Sequence, residues 1–335
     1  MYKLRTLIVF LLIGYFWFIT PVPIPAAENP IVIRIGHIQS TDQSQHSGLL
    51  KCAEIVSKKT NDRIQVKVFP SSQLGSATAQ LGNVKMGTQE MLIEAGPLGS
   101  RLEPDFLALL VPFLIRDKEH VQKIFSGAIG LEMVDKLVKK HGIRVLTSNW
   151  DRGPRQLLTK IQVSNLADLK GLKIRVPGNP VFLKSWKALG AAPTPMEFSE
   201  IYLGLQQGIV DGVELPLDMI YTQKYYEIAK YCALTYHWFE WGSVFANDKF
   251  FQSLSPGDQK IVQDALVEGG NYQNKVLADQ LTSLSDQMKK GGVIFTNFPE
   301  TERQKAAAIA QKVGEDEEVA GKWTKGLISK IREVH

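Results

Sequence analysis

The residues best able to do chemistry are concentrated between positions 149 and 217. Asn149-Trp-Asp-Arg-Gly-Pro-Arg155 places two arginines and Trp150 directly after an expected strand, where open α/β sheets bind ligands. Twenty residues later Arg175 alternates with Leu172, Ile174 and Val176 in an otherwise apolar strand. If that face is buried, its guanidinium needs a carboxylate partner, from the protein or from a ligand. The planar fork suits a ligand, because it can hold both oxygens of a carboxylate at once. A structural salt bridge or an exposed strand face is the alternative reading, and the residues alone leave both open.

Other chemistries lack their signatures. The chain contains no GxSxG, HExxH, GxGxxG or Walker A motif. The six histidines are scattered, and His37 and His46 lack the paired ligands a metal requires. The aromatic cluster Trp238-Phe-Glu-Trp241 reads first as core, with Trp241 a candidate wall of the same pocket. No catalytic residue, cofactor or metal is expected.

Elements that would position the arginines can be read on both sides. Ile31, Ile33 and Ile35 mark a first strand, and Arg63 to Phe69 a second of strict period two. A helix is expected from Lys118 to Lys140, then a short strand from Ile143 to Leu146. Thr194-Pro-Met-Glu197 has capping-box spacing ahead of a helix over 198–208. Ser255-Pro-Gly-Asp258 opens a helix to about Lys290, with Leu277, Leu281, Leu284 and Met288 on one stripe. Alternation of this kind means an α/β protein with parallel strands, and so long a helix suggests an element running along two lobes.

Composition narrows the class. The chain has 335 residues and two cysteines, Cys52 and Cys232, read as buried thiols. Residues 1–27 read as a secretory signal peptide: Lys3 and Arg5, an uncharged run from Thr6 to Thr20, three prolines and Ala26-Ala27. An uncleaved anchor is the alternative, although the run is short for a bilayer span. Removing Lys3 and Arg5 takes two charges from a formal +5, which leaves no footprint for nucleic acid.

Longer stretches carry a resemblance. Ala167-Asp-Leu-Lys-Gly-Leu-Lys-Ile-Arg-Val-Pro177, Leu189-Gly-Ala-Ala-Pro-Thr-Pro195 and Glu200 to Pro216 resemble the DctP family. These are the extracytoplasmic solute-binding subunits of tripartite ATP-independent periplasmic (TRAP) transporters. Phe69-Pro-Ser-Ser-Gln-Leu-Gly75, Pro112-Phe-Leu114, Tyr225-Tyr-Glu227 and Leu254-Ser-Pro256 extend the match over the mature chain. The resemblance implies a two-lobed clamshell with hinge strands and a long helix spanning both lobes. We expect lobe I to comprise residues 28–152 and 241–280, and lobe II 153–240 and 281–335. Arg175 matches the family's carboxylate-clamping arginine, Arg155 a second that assists it, and Phe198 an aromatic packing on the ligand's carbon skeleton. Trp150 lies in the loop of Arg155, and the family's first-lobe loops correspond to Gly36 to Gln39 and Glu94 to Gly96. Glu214-Leu-Pro216 stands where the family usually has Glu-Asn-Pro, so Leu215 replaces a polar contact and favours an acid with a more apolar body. The expected function is capture of a small carboxylate in the periplasm and delivery to integral-membrane transporter subunits, by a monomer with no nucleic-acid partner. A ligand-binding sensor and a periplasmic enzyme acting on an organic acid are the alternatives.

Overall fold

The computed structural model describes residues 29–335, so the expected signal segment lies outside the described residues. The first part runs β1 (Ile31–Gly36), α1 (Ser44–Thr60), β2 (Ile64–Phe69), α2 (Ala77–Met86) and β3 (Met91–Ala95). β1 pairs in parallel with both β2 and β3, as strands joined by crossover helices must. Two 3-10 segments, Gly96–Arg101 and Pro104–Leu110, lead to α3 (Lys118–Ser126), α4 (Ala128–His141) and β4 (Ile143–Thr159). Next come β5 (Lys173–Val176), α5 (Pro180–Ala188), β6 (Ala192–Pro195), α6 (Ile201–Gln206), β7 (Gly212–Pro216) and α7 (Leu217–Thr222). The chain then passes through β8 (Tyr231–Leu234), β9 (Phe239–Asn247), α8 (Asp248–Ser253) and α9 (Pro256–Lys290). It ends in β10 (Ile294–Asn297), α10 (Glu300–Val313), α11 (Glu317–Ala320) and α12 (Leu327–Arg332).

The strands follow the order β2-β1-β3-β9-β4-β7-β5-β6, with β8 and β10 branching from β4. Purely parallel pairing does not hold: β9 is antiparallel to β3 and β4, and β4 is antiparallel to β7 and β8. The reason is that β4 and β9 carry the chain between the two halves in opposite directions. β4 pairs with β9 from Ile143 to Pro154 and with β7 from Arg155 to Thr159, so one strand belongs to both sheets.

This corrects the expectation of a short strand followed by a loop. Gly153 and Pro154 read as turn signals, but they sit beside a β-bulge in an unbroken strand. Bulges tolerate such residues and bend the strand. The single helix expected over 118–140 is two, because Gly127 is extended and caps both. The cap expected at Thr194 is instead Glu197, which forms a capping box with Glu200, while Thr194 pairs with Arg175 in the sheet; the helix expected over 198–208 is a 3-10 turn, Phe198–Glu200, followed by α6.

α9 has 35 residues, about 52 Å of helix at 1.5 Å per residue, and packs on α1, β4 and α7. Ser255 caps it by accepting from the Asp258 amide, and Leu277, Leu284 and Met288 are buried along it. Among the described residues no helix is long and apolar enough to cross a membrane. Cys52 and Cys232 are free and buried, with thiol pKa values pushed up to about 12 by burial. The tail touches both halves: α10 packs on α5, and α12 on residues 104–110.

Where α1 meets α9, glycines let the backbones approach. A Cβ on Gly48 would stand 2.7 Å from the Gly269 carbonyl oxygen and 2.7 Å from the Trp150 ring. Trp150 is fully buried there, in the core of β1, β3, α1 and α9. Gly48→Ala is therefore expected to cost about 1–3 kcal/mol by overpacking. Urea denaturation would show this as a lower midpoint, and an unchanged midpoint would contradict it.

Candidate functional site

Residues from both halves line a cavity of about 140 Å³. One wall is Ile38, the start of α2 at Ala77 and Thr78, and the turn after β3 from Glu94 to Arg101. The other is Arg155, the end of β5 with Gly178 and Asn179, Phe182, Met196, Phe198, Leu215 and Met219. Trp238 and Glu240 close it where β9 begins.

Arg175 lies in β5 between β6 and β7, and only 4% of it is exposed. Its Nε and Nη2 donate to the Met196 carbonyl oxygen at 2.9 and 2.7 Å, and no carboxylate of the described residues pairs with it. Burial, and then the nearby charge of Arg155, lower its pKa to about 10. It is a buried cation without a counter-ion.

Arg155 is in the opposite situation. Its Nε bonds Glu214 Oε2 at 2.5 Å, its Nη2 bonds Glu214 Oε1 at 2.6 Å, and its Nη1 bonds Glu240 Oε2. Nη2 also donates to the Glu214 carbonyl oxygen, so one of the five N–H donors of a guanidinium remains. Phe182 and Trp238 flank it, each ring centre 5.5 Å from its Cζ. Burial opposes its charge, but Glu214 and Glu240 more than offset this and raise its pKa.

The ion pairs continue on either side. Arg152 donates to Glu94 at 2.9 Å, to Glu240 at 3.0 Å and to Gln45. His237 Nε2 lies 3.0 Å from Glu214 Oε2. Burial alone would raise the Glu214 pKa, yet Arg155 and His237 hold it below the usual range. A chain of alternating charge thus runs Glu94, Arg152, Glu240, Arg155, Glu214. At its first end Glu94 Oε2 is buried without a hydrogen-bond partner.

Of the residues singled out from sequence, Arg155, Arg175, Phe198 and Leu215 line the cavity together. Glu214 does not; it points from the opposite face of β7 and holds Arg155. Trp150 does not either, being packed between α1 and α9. Trp241 packs at a tilt against Trp238 and Phe125, with ring centres 5.8 and 6.1 Å apart, and fills the space left by Gly96, while Trp238 forms the wall. Sequence reasoning missed Arg101, Asn179 and Glu240, and gave Arg152 of the opening motif no role. The signal for Glu240 was an acid among aromatics in Trp238-Phe-Glu-Trp241, which a buried cation would explain.

His37 and His46 do meet, at 3.1 Å between ring nitrogens. No third ligand joins them: the described residues contain no metal-binding group of His, Cys, Asp or Glu. Burial, His46 and Arg152 push the His37 pKa down to about 3, so it stays neutral.

Residues 35–318 match the bacterial extracellular solute-binding proteins, family 7 (DctP). The chain is 35% identical over 262 residues to the 2,3-diketo-L-gulonate-binding periplasmic protein YiaO of Escherichia coli, covering 78% of this chain and 79% of that one. It is similar in structure to a TRAP periplasmic solute-binding protein of Roseobacter denitrificans solved with bound L-galactonate. The TM-score is 0.82 at 30% identity, over 90% of this chain and 98% of that one. A TRAP periplasmic solute-binding protein of Desulfovibrio salexigens with bound orotic acid gives a TM-score of 0.84 at 29% identity, over 90% and 97%. The fold is thus the two-lobed α/β architecture of these binding proteins.

The two arginines should respond differently to removal. Arg155→Ala leaves buried Glu214 with only His237 and buried Glu240 with only Arg152, and is expected to cost about 3–5 kcal/mol of stability. Arg175→Ala removes an unpaired buried charge and is expected to leave the ligand-free protein at least as stable. Denaturation of both variants without ligand checks this, and equal losses would contradict it.

Asp218, the second residue of α7, gives a pH test. Burial lifts its pKa to about 7, with the Met219 amide and Arg152 acting against the rise and Glu240 and Asp151 with it. The native state then binds more protons than the unfolded chain between about pH 4 and 7. Its contribution to stability is complete below that range and is lost as pH rises through the folded pKa. Asp218→Asn should therefore gain more relative to the parent protein at pH 8 than at pH 5. A difference independent of pH would contradict the assignment.

Proposed function

The chain belongs to the bacterial extracellular solute-binding proteins of family 7, and from that premise we propose that Arg175 captures the carboxylate of a small organic acid for delivery to a TRAP transporter. The observation that carries this reading is the buried, carboxylate-free guanidinium of Arg175 in a cavity lined from both halves. A ligand carboxylate supplies the missing counter-ion, and the planar fork favours that partner. Arg155 assists with its remaining N–H, and Glu214 holds it in position.

The family and its structural neighbours are binding proteins, not enzymes. The relatives' ligands, diketogulonate, galactonate and orotic acid, support an organic acid here. Phe198 and Leu215, with Met196, Met219 and Trp238, give the cavity apolar walls that suit the carbon skeleton of such an acid. Trp150 and Trp241 act through the core rather than by contact.

The cycle is capture and release. A ligand touching both lobes binds the closed form better than the open one, and that difference drives closure. The closed protein, a monomer in the periplasm after removal of residues 1–27, would dock on the membrane subunits. Removing one partner of a buried charge pair costs about 2–5 kcal/mol, roughly 30- to several-thousand-fold in affinity. A thermal-shift screen of organic acids identifies a ligand through the rise in melting temperature that binding causes. Arg175→Ala is then expected to lose that ligand in calorimetry while remaining folded, and unchanged affinity would refute the assignment.

A further inference from the structure

We propose that Arg101 is a second anion contact, supplied by the lobe facing Arg175, and that it selects acids carrying two anionic groups over monoacids. This deepens the function proposed above and rests on it.

Arg101 ends the 3-10 segment that follows β3, and its side chain lines the cavity. Its Nη2 lies 3.8 Å from where a Cβ on Gly178 would stand, and Gly178 is in the turn directly after the strand of Arg175. A cation from one lobe therefore reaches across the cleft to the strand end that carries the other.

Its lack of a partner is unusual in this protein. Arg34, Arg63, Arg144, Arg152, Arg155 and Arg303 each pair with a carboxylate. Arg116 and Arg175 donate to backbone carbonyls. Among the described residues only Arg101 and Arg332 have no recorded side-chain bond, and of these Arg101 alone lines the cavity.

The acids of the cavity are not available to it. Glu94 and Glu240 are held by Arg152 and Arg155, and Glu197 closes a capping box with its own helix. Two guanidiniums without protein carboxylates thus face one small space. One carboxylate answers Arg175, beside Arg155. A second anionic group on the same ligand answers Arg101, and closure, by thinning the water between them, strengthens that attraction. A dianion would be drawn into the same field at longer range, with an ionic-strength dependence.

The test uses acids matched in carbon skeleton: butyrate and succinate, L-galactonate and galactarate, benzoate and phthalate. Affinities are measured by calorimetry for the parent protein, Arg101→Ala, Arg101→Lys and Arg175→Ala. In the pair that binds, we expect the parent to hold the diacid at least about tenfold tighter. Arg101→Ala should remove most of that preference, with monoacid affinity kept within about threefold. Arg101→Lys should retain part of it, and the retained part should fall as salt rises. Arg175→Ala should lose both acids. Because Arg101 is exposed and unbonded, its variants should keep the parent's melting temperature without ligand. The inference is overturned if Arg101→Ala weakens both members of a pair equally, which would place Arg101 on the same carboxylate as Arg175. It is also overturned if the variant changes neither, or if the parent binds monoacids as tightly. If the thermal-shift screen finds no organic acid that binds the parent, the organic-acid reading falls and takes this inference with it; if it finds one outside these pairs, the same comparison is run on that acid and its counterpart with one anionic group more or fewer.

Discussion

Burying charge without water is the constraint that organises this protein. Glu94, Arg152, Glu240, Arg155 and Glu214 come from β3, β4, β9, β4 and β7, so strands of both sheets are tied by one line of ion pairs. None of these groups could be buried alone, since an unpaired ion in the interior costs several kcal/mol. Each therefore fixes the next, and the crossing of β4 and β9 becomes the one arrangement that pairs all of them. The line holds three carboxylates and two guanidiniums. A third guanidinium, Arg175, lies nearby without touching a carboxylate; Glu214 raises its pKa, against the larger effects of burial and of the Arg155 charge, which lower it to about 10.

The same arrangement explains why the crossing strands are both a connection and a foundation. β4 changes sheets between Pro154 and Arg155, just after the bulge at Asp151/Gly153, with Arg152 reaching Glu94 and Arg155 reaching Glu214. The closure proposed above would be absorbed there and along α9, which packs on both α1 and α7. Contacts such as Gln43 Nε2 to Thr222 Oγ1, at 3.0 Å, join the first helix to α7 beside that path. Such bonds are few and polar, so they can break and reform at little net cost.

What was legible in the sequence follows the range of the interactions. The cap at Ser255 and the stripe along α9 are local and were readable, as was the oddity of Arg175 among apolar neighbours. β4 was not, because Gly153 and Pro154 look like a turn unless a partner strand accommodates the bulge. The role of Arg155 could not be read either: its partners are 59 and 85 residues away, and no periodicity reports them. Trp150 and Trp241 show the same limit, since an aromatic near an arginine in sequence can face the other side of the strand and fill a core. Four of the seven residues singled out from sequence, Arg155, Arg175, Phe198 and Leu215, line one cavity, and the geometry separates the arginine already neutralised from the one that is not.

That separation bears on how binding affinity arises. A site whose cation was fully paired would have to give up protein bonds to take a ligand, and the exchange would return little. Arg175 keeps its carbonyl partner at Met196 and still lacks a counter-ion, so an incoming carboxylate adds a partner without displacing one. Part of the binding free energy is then the relief of a desolvation cost carried by the empty protein, and stability without ligand is what the protein gives up for it. The charged chain behind the cavity holds Arg155 in place, so in the proposed mode recognition of the carboxylate would be set by the strands. The other lining side chains, Leu98, Leu215, Phe198 and Met219 among them, would then meet what lies beyond the carboxylate. A binding protein divided in this way can change its ligand by changing walls, because the costly electrostatic part of the site does not depend on them.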